Sequence, residues 1–173
     1  TGDGNIVIGF ESGHDITTGG YNLLIGWKAG DKIDTASQNL AIGDGSLSSD
    51  TKGSKSVAVG SNTLNTQNFT TATDSYNVAV GYNAGVSVTT GIKNSILGGL
   101  AGDALTDADF NIAVGFAALS SDTLGSKSVA IGESALGSQN FTTATDTFNT
   151  AVGHRAGAAV TTGVNNTLIG GLA

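Results

Sequence analysis

The 173 residues predict an all-β fold, a parallel β-solenoid of ten rungs, on three observations. Five-residue phrases of one pattern, such as Ser-Val-Ala-Ile-Gly at residues 128–132, occur ten times and always close on glycine. The closing glycines follow one another at 17-residue steps, with a 21-residue step after every fourth rung, which gives a 72-residue superrepeat. The phrases are β-branched and too close together for a strand–helix–strand crossover. A fixed short period of this kind is typical of one unit stacked on itself.

The two ends of each phrase carry the structural residues. The closing glycine predicts a bend whose geometry a Cβ would forbid. These glycines are Gly9, Gly26, Gly43, Gly60, Gly81, Gly98, Gly115, Gly132, Gly153 and Gly170. The first residue is asparagine in eight rungs and serine at Ser56 and Ser128, and stacked rungs would place its amides on one another as a ladder. The asparagines are Asn5, Asn22, Asn39, Asn77, Asn94, Asn111, Asn149 and Asn166.

The middle of each phrase predicts a strand that is apolar on both faces. Residues 2 and 4 of the phrase are mostly branched and apolar, whereas residue 3 is mostly alanine. Because side chains alternate along a strand, both faces should be buried. One face can pack inside the coil, and the small residues at position 3 would let a second wall come close. Two arrangements stay open: association through a face of the stack, with a trimer as the simplest closed form, or one chain whose own second strand covers both faces.

The connectors keep the superperiod. Residues 67–74 and 139–146 are identical octapeptides in the two long steps and predict matching loops on one side of the stack. We expect residues 1–173 to form a single solenoid segment. Because the sequence starts and stops within the repeat pattern, we also expect it to be a window from a longer fibre.

The composition narrows the classes of partner and cofactor that the chain is expected to bind. The net charge of −7 argues against nucleic acid or an anionic membrane surface as a partner. No apolar run approaches the ~20 residues that span a bilayer. The chain has no cysteine, and His14 and His154 do not form a metal-spaced pair, so neither a metal nor another cofactor is predicted.

One column of residues is a candidate ligand-binding surface. The residue after the closing glycine is aromatic in four rungs and histidine in a fifth: Phe10, Trp27, Tyr82, Phe116 and His154. Exposed rings could stack on sugars. The alternative interpretation, which we favour, is that these rings lie over neighbouring connectors and stiffen the edge of the stack.

Catalysis is not expected, although two other functions compete with a structural role. A glycosidase needs two carboxylates about 5–9.5 Å apart. Asp31 with Asp34, or Asp103 with Asp107 and Asp109, could lie close enough, but such acids are usually solvated loop residues. An ice-binding face would need paired threonine columns. Thr17 and its counterparts form only one regular column.

The repeats resemble those of two groups of fibrous proteins. Residues 128–135, Ser-Val-Ala-Ile-Gly-Glu-Ser-Ala, resemble the head repeat of trimeric autotransporter adhesins. Residues 149–157, Asn-Thr-Ala-Val-Gly-His-Arg-Ala-Gly, with Thr-Thr-Gly at 161–163, are similar to repeats of phage tail fibres and large environmental surface proteins. The resemblance covers all ten rungs and implies a left-handed β-roll, a homotrimer and a location on a virion or cell surface. Adhesin repeats are commonly a little shorter than the ordinary step of this chain, so the spacing is closer to the phage type.

The sequence therefore predicts a non-enzymatic structural segment of an extracellular fibre. Its first role would be that of a stiff spacer, and its second would be adhesion to glycans on a host surface. The alternatives are a carbohydrate-cleaving solenoid of the tailspike type and, with less support, an ice-binding solenoid.

Overall fold

The computed structural model describes residues 2–173, and these form one parallel β-solenoid. Ten three-residue strands make a single sheet in chain order, and four two-residue strands pair beside it. The strands are β1 (Ile6–Ile8), β2 (Leu23–Ile25), β3 (Leu40–Ile42), β4 (Gly53–Ser54), β5 (Val57–Val59), β6 (Thr73–Asp74), β7 (Val78–Val80), β8 (Ser95–Leu97), β9 (Ile112–Val114), β10 (Gly125–Ser126), β11 (Val129–Ile131), β12 (Thr145–Asp146), β13 (Thr150–Val152) and β14 (Thr167–Ile169).

The register of the sheet follows the spacing of the glycines. Ile6 pairs with Leu23 across an ordinary step, and Val57 pairs with Val78 across a long one. The predicted ten rungs, with 17-residue steps and a 21-residue step after every fourth rung, are therefore confirmed. Residues 2–173 include no helix that is long and apolar enough to cross a bilayer.

The closing glycines form a straight file along the stack. Their φ angles lie between +125° and +139°, a region that L side chains rarely adopt. A Cβ on Gly26 would overlap the carbonyl oxygen of Gly43 in the next rung. Gly26 N in turn donates a 2.8 Å bond to the carbonyl oxygen of Ile8. The glycines are required both for the bend and for the close approach of successive backbones.

Position 3 of the phrase lies inside the coil, together with the third, fourth and seventh residues after each closing glycine. The columns formed by the fourth and the seventh residues have complementary side-chain volumes. In the second rung the fourth residue is Gly30 and the seventh is Ile33. The glycine leaves room for the isoleucine, because a Cβ on Gly30 would lie 2.9 Å from Ile33 Cδ1. In the third rung Leu47 takes the glycine position, and the buried residue after it is Asp50. The interior therefore alternates two aliphatic layers with two mixed layers, which repeats every 72 residues along the chain, as Gly9 to Gly81 does.

The asparagine column is confirmed as a ladder, but its bonds differ from the predicted amide-to-amide stacking. Asn22 Oδ1 accepts a 2.9 Å bond from the backbone N–H of Asn39, and Asn39 Nδ2 donates to the carbonyl oxygen of Gly53 at 2.9 Å. Except at Asn166 in the last rung, each amide thus satisfies two backbone groups, one in the next rung and one across its own coil. Within residues 2–173, amide-to-amide bonds join only Asn22 to Asn5 and Asn166 to Asn149 in this column.

The prediction that both strand faces are buried is wrong for the single chain. The middle residue of each inner strand is wholly buried, but the wall that it meets belongs to the same coil. The first and third residues of the ten strands point outward and are half-buried or exposed. No second strand of the described chain covers this outward face.

The long connectors match one another, as predicted, and each is anchored rather than free. Phe69 and Phe141 are only 6% and 7% exposed. Beyond each ring the chain pairs again, β6 with β4 and β12 with β10. Three exposed residues remain at the outer tip of each connector, 70–72 and 142–144.

Candidate functional site

The outward side of the main sheet is an exposed, mostly apolar surface that runs along the stack. We call it the open sheet face and define it as the first and third residues of the ten main strands. None of these residues is charged. Ile8, Leu97 and Val78 are 58%, 50% and 42% exposed. An apolar strip of this kind, interrupted only by Ser95, Thr150 and Thr167, indicates a contact surface.

The predicted ligand-binding residues lie along one edge of the open sheet face. They stack in register, because the backbone N–H after Trp27 bonds to the carbonyl oxygen of Phe10 at 2.9 Å. Phe10, Trp27, Tyr82 and Phe116 are 51–67% exposed, and the His154 side chain is 61% exposed. The exposed surfaces of these rings are therefore available for contact.

A second column, which the sequence reasoning missed, lies along the other edge. The residue before each phrase alternates between lysine and an aromatic residue from the fourth to the ninth rung. Lysine Nζ lies 5.2, 4.9 and 5.3 Å from the ring centroid of the next rung. These pairs are Lys55 with Tyr76, Lys93 with Phe110, and Lys127 with Phe148. The alternation was visible in the sequence one residue upstream of the phrase.

The open sheet face and its two edge columns form a broad surface. Ten rungs about 4.8 Å apart and a width of six residues at about 3.3 Å each give roughly 45 Å by 20 Å, or about 900 Å². The largest apolar patch of a typical monomer is about 300–600 Å². About 800 Å² per partner is usual for a stable protein–protein interface.

Two copies of a buried polar network lie inside the mixed layers. Gln67 Nε2 donates to Asp50 Oδ2 at 2.5 Å and to Ser56 Oγ at 2.9 Å, while Gln67 Oε1 accepts from Asn77 Nδ2 at 2.8 Å. Burial raises the pKa of Asp50, and hydrogen bonds from Gln67, Gly53 and Phe69 oppose that rise. Gln139 makes the same three bonds in the second superrepeat. The network explains why the fourth and eighth rungs carry serine at position 1. There the glutamine side chain supplies the amide that asparagine supplies in the other rungs.

The candidate catalytic acids make separate local contacts. Asp107 Oδ1 accepts a bond from Thr90 at 2.6 Å, and Asp109 Oδ1 accepts one from the backbone N–H of Ile92 at 2.7 Å. Burial raises the pKa of Asp103 and is the largest cause of the raised pKa of Asp109. None of these acids lines the polar cavity described below.

His14 lies near two acids, an arrangement that its sequence position did not predict. Ligand atoms of His14, Asp15 and Asp31 all lie within 4.8 Å of one another. Lys32 Nζ is 3.0 Å from Asp15 and 3.5 Å from Asp31, so an ammonium group already neutralises these carboxylates. Hydrogen bonds from His14 and from the same lysine lower the pKa of Asp15.

A polar cavity of about 310 Å³ lies beside the aromatic column at the seventh to ninth rungs. His154 Nε2 lies 2.5 Å from Glu133 Oε2, and Ser134 Oγ donates to Glu133 Oε1 at 3.1 Å. Of the predicted ligand-binding residues only His154 lines it. The residues that line it are Ser120, Glu133, Ser134, Gly137, Ser138, His154, Arg155 and Ala158.

Comparison of the chain with protein-family models, with curated proteins and with solved structures finds no match. The resemblance to adhesin and tail-fibre repeats therefore rests on the repeat residues themselves. Any functional conclusion has to be argued from the surfaces described above.

Proposed function

We propose that this chain is a structural segment of an extracellular fibre, on a virion or a cell surface, and that it associates with copies of itself as a homotrimer. The observation that carries the proposal is the open sheet face, an uncharged apolar surface that the chain leaves uncovered. Parallel association would place equal rungs of the copies at equal heights, so that their apolar columns meet along the whole rod.

The size of the surface supports self-association. Burial of its apolar side chains favours association, and about 900 Å² is comparable with the about 800 Å² per partner of a stable protein–protein interface. The face has no charged group to desolvate, and two of the three lysines at its rim are paired with carboxylates, Lys55 with Asp74 at 2.6 Å and Lys127 with Asp146 at 2.5 Å. A second copy of the chain is thus the occupant with the best complementarity.

The mechanical role follows from the direction of the hydrogen bonds. Many of the bonds run from rung to rung: those of the strands, those that asparagine Oδ1 accepts from the next rung, and threonine bonds such as that from Thr51 Oγ1 to the carbonyl oxygen of Phe69 at 2.8 Å. A stack of identical layers bonded in this direction resists bending. The engaged threonine hydroxyls favour a structural role over an ice-binding one.

Adhesion is the second proposed role. The rings of Phe10, Trp27, Tyr82 and Phe116 stand at the rim of the open sheet face, where they could contact sugar rings of a host surface while the strands are covered. The cleaving alternative has less support, because none of the candidate acids lines the polar cavity at the seventh to ninth rungs.

Molar mass in solution tests the self-association. We expect sedimentation equilibrium of the purified chain to give the mass of three copies. Val78→Asp would place a carboxylate in the middle of the open sheet face, and burying it unpaired costs several kcal/mol, so this variant should dissociate to monomers. The matched control is Ala72→Asp, which adds the same charge at the exposed tip of a connector and should leave the mass unchanged.

A parent chain that stays monomeric at every concentration would overturn the proposal. So would equal masses for the two aspartate variants, because the open sheet face would then not be the contact. A mass of two copies would overturn the threefold arrangement.

A further inference from the structure

We propose that the cavity at the seventh to ninth rungs binds an acidic sugar residue, one that carries a carboxylate, within a surface polysaccharide. The inference deepens the proposed adhesive role and rests on it, but it does not depend on the oligomeric state. Four observations carry it: a comparison between the two superrepeats, the opening of the cavity, its single unpaired guanidinium, and the groups around that guanidinium.

The first superrepeat provides a comparison for this site within the same chain. Shifting the cavity residues back by 72 positions gives their counterparts in the third to fifth rungs. Ser120 corresponds to an identical residue, Ser48, whereas the other seven cavity residues all differ from their counterparts, although the octapeptides 67–74 and 139–146 beside them are identical. The counterparts are Ser48, Ser61, Asn62, Asn65, Thr66, Tyr82, Asn83 and Val86.

The exchanges open the surface. In the first superrepeat Asn65 Nδ2 donates to the carbonyl oxygen of Gly45 and to Ser48 Oγ, both at 2.8 Å, so the amide fills the groove between rungs. Gly137 replaces that asparagine in the second superrepeat. The amide is thereby removed and the hydroxyl of Ser120 is left to line the cavity. Ala158 in place of Val86 widens the same space.

The exchanges also bring in charge. Arg155 replaces Asn83 and is the only arginine of the chain. Its backbone N–H donates to the carbonyl oxygen of Glu133 at 2.8 Å, which holds the residue at the cavity. Within residues 2–173 its guanidinium makes no ion pair and no side-chain hydrogen bond. Glu133 is engaged instead by His154 and Ser134, so the guanidinium remains available for an anion.

This donor set fits a carboxylated sugar. A guanidinium binds a carboxylate through two parallel N–H bonds, the strongest geometry available to either group. The hydroxyls of Ser120 and Ser138 can pair with sugar hydroxyls around it. A volume of about 310 Å³ is at the small end of ligand sites and suits one sugar unit. Phe116, one rung before Glu133 in the same column, offers an exposed ring to the next unit.

Titration calorimetry and saturation-transfer NMR with sodium glucuronate test the proposal, with glucose and inorganic phosphate as comparison probes. We expect glucuronate to bind once per chain and glucose to bind at least about tenfold more weakly, because only the acid engages the guanidinium. Arg155→Asn and Gly137→Asn restore the residues of the first superrepeat and should each weaken glucuronate binding at least about tenfold. The control Lys52→Leu also installs the residue found at the equivalent position of the other superrepeat, removes one positive charge in the third rung, and should leave the affinity unchanged.

A graft gives an independent readout. Exchanging the first-superrepeat residues for those of the cavity should create a second site and raise the stoichiometry from one to two glucuronates per chain. The exchanges are Ser61→Glu, Asn62→Ser, Asn65→Gly, Thr66→Ser, Tyr82→His, Asn83→Arg and Val86→Ala.

Equal binding of glucose and glucuronate, unchanged affinity in Arg155→Asn, or no binding of glucuronate would overturn the proposal. Preference for phosphate over glucuronate would overturn the sugar assignment. The molar mass of the same samples shows separately whether self-association holds, so failure of the sugar site and failure of the fibre proposal can be told apart.

Discussion

Gly98 and Gly99 are adjacent in the chain, yet the stack constrains only the first of them. Gly98 closes the sixth phrase with φ +136°, and a Cβ on it would lie 2.5 Å from the carbonyl oxygen of Gly115. A Cβ on Gly99 would meet nothing closer than 3.7 Å, and its φ is not in the left-handed region. Two constraints, the positive φ and the close approach of the next rung, therefore apply to Gly98, and neither applies to Gly99.

Gly98→Ala should therefore lower the free energy of unfolding by about 3 kcal/mol or more, because it combines a forbidden φ with a backbone clash. Gly99→Ala is the matched control, and we expect it to stay within about 1 kcal/mol of the parent. Urea unfolding of both variants measures the difference. Similar stabilities would contradict the close approach of the closing glycines.

At the scale of the element, each long connector is an insertion whose side chains pack into the coil. The four extra residues bring Gln67 into the coil and Phe69 over Gly53, where a Cβ would lie 2.6 Å from the ring. The glutamine then joins a buried carboxylate, a serine and an asparagine from three consecutive rungs. The insertion therefore links the layers around it instead of interrupting the stack.

Gln67→Leu should cost about 2–4 kcal/mol, because it leaves a buried carboxylate oxygen and a buried amide without their partner. Gln139→Leu, in the second copy of the network, should have a cost that agrees within about 0.5 kcal/mol, since its bond lengths match. Asn68→Ala, at an exposed neighbour, should stay within about 0.5 kcal/mol of the parent. Thermal and urea unfolding compare the three, and a neutral Gln67→Leu would show that the network adds no stability.

The register of these elements could be predicted because glycine spacing alone fixes it. Which strand face lies inside could not, since Ala58 on one side and Val57 and Val59 on the other are all apolar. The buried place of Asp50 was also missed, because an acid between serine and threonine is usually solvated.

At the candidate site His154 was predicted, but Glu133 and Arg155 were not. Glu133 lies in the column of the predicted residues but is neither aromatic nor a histidine, and Arg155 lies in the next column, where residue types are mixed, so neither fitted a recurring residue type. Comparing each position with its counterpart in the other superrepeat would have pointed to them.

For the whole molecule the natural unit is the block of four rungs, not the single rung. Two aliphatic layers and two mixed layers must alternate, since Gly85 leaves the space that Leu64 and Ile96 fill from either side. In a repeat protein, stability is close to a sum of unit and interface terms. The order of the layers should therefore matter as much as their number.

Deleting residues 77–148 removes one block and should leave a cooperative rod shorter by about 19 Å, four rungs at about 4.8 Å. Deleting residues 77–110 removes only two rungs, but it places four mixed layers in succession and leaves Leu64 without the space at Gly85. This variant should melt at a lower temperature than the shorter rod. Circular dichroism and X-ray scattering measure both, and the reverse order of melting temperatures would contradict the layer argument.

The identical octapeptides at 67–74 and 139–146 have a consequence for how such a gene can change. Unequal crossing-over between the two DNA segments that encode them would gain or lose 72 codons at a stroke. Every contact between successive rungs in the product would be of a kind that the parent already contains. The length of the solenoid can thus change between generations in whole blocks, without a misfolded intermediate that selection would have to tolerate.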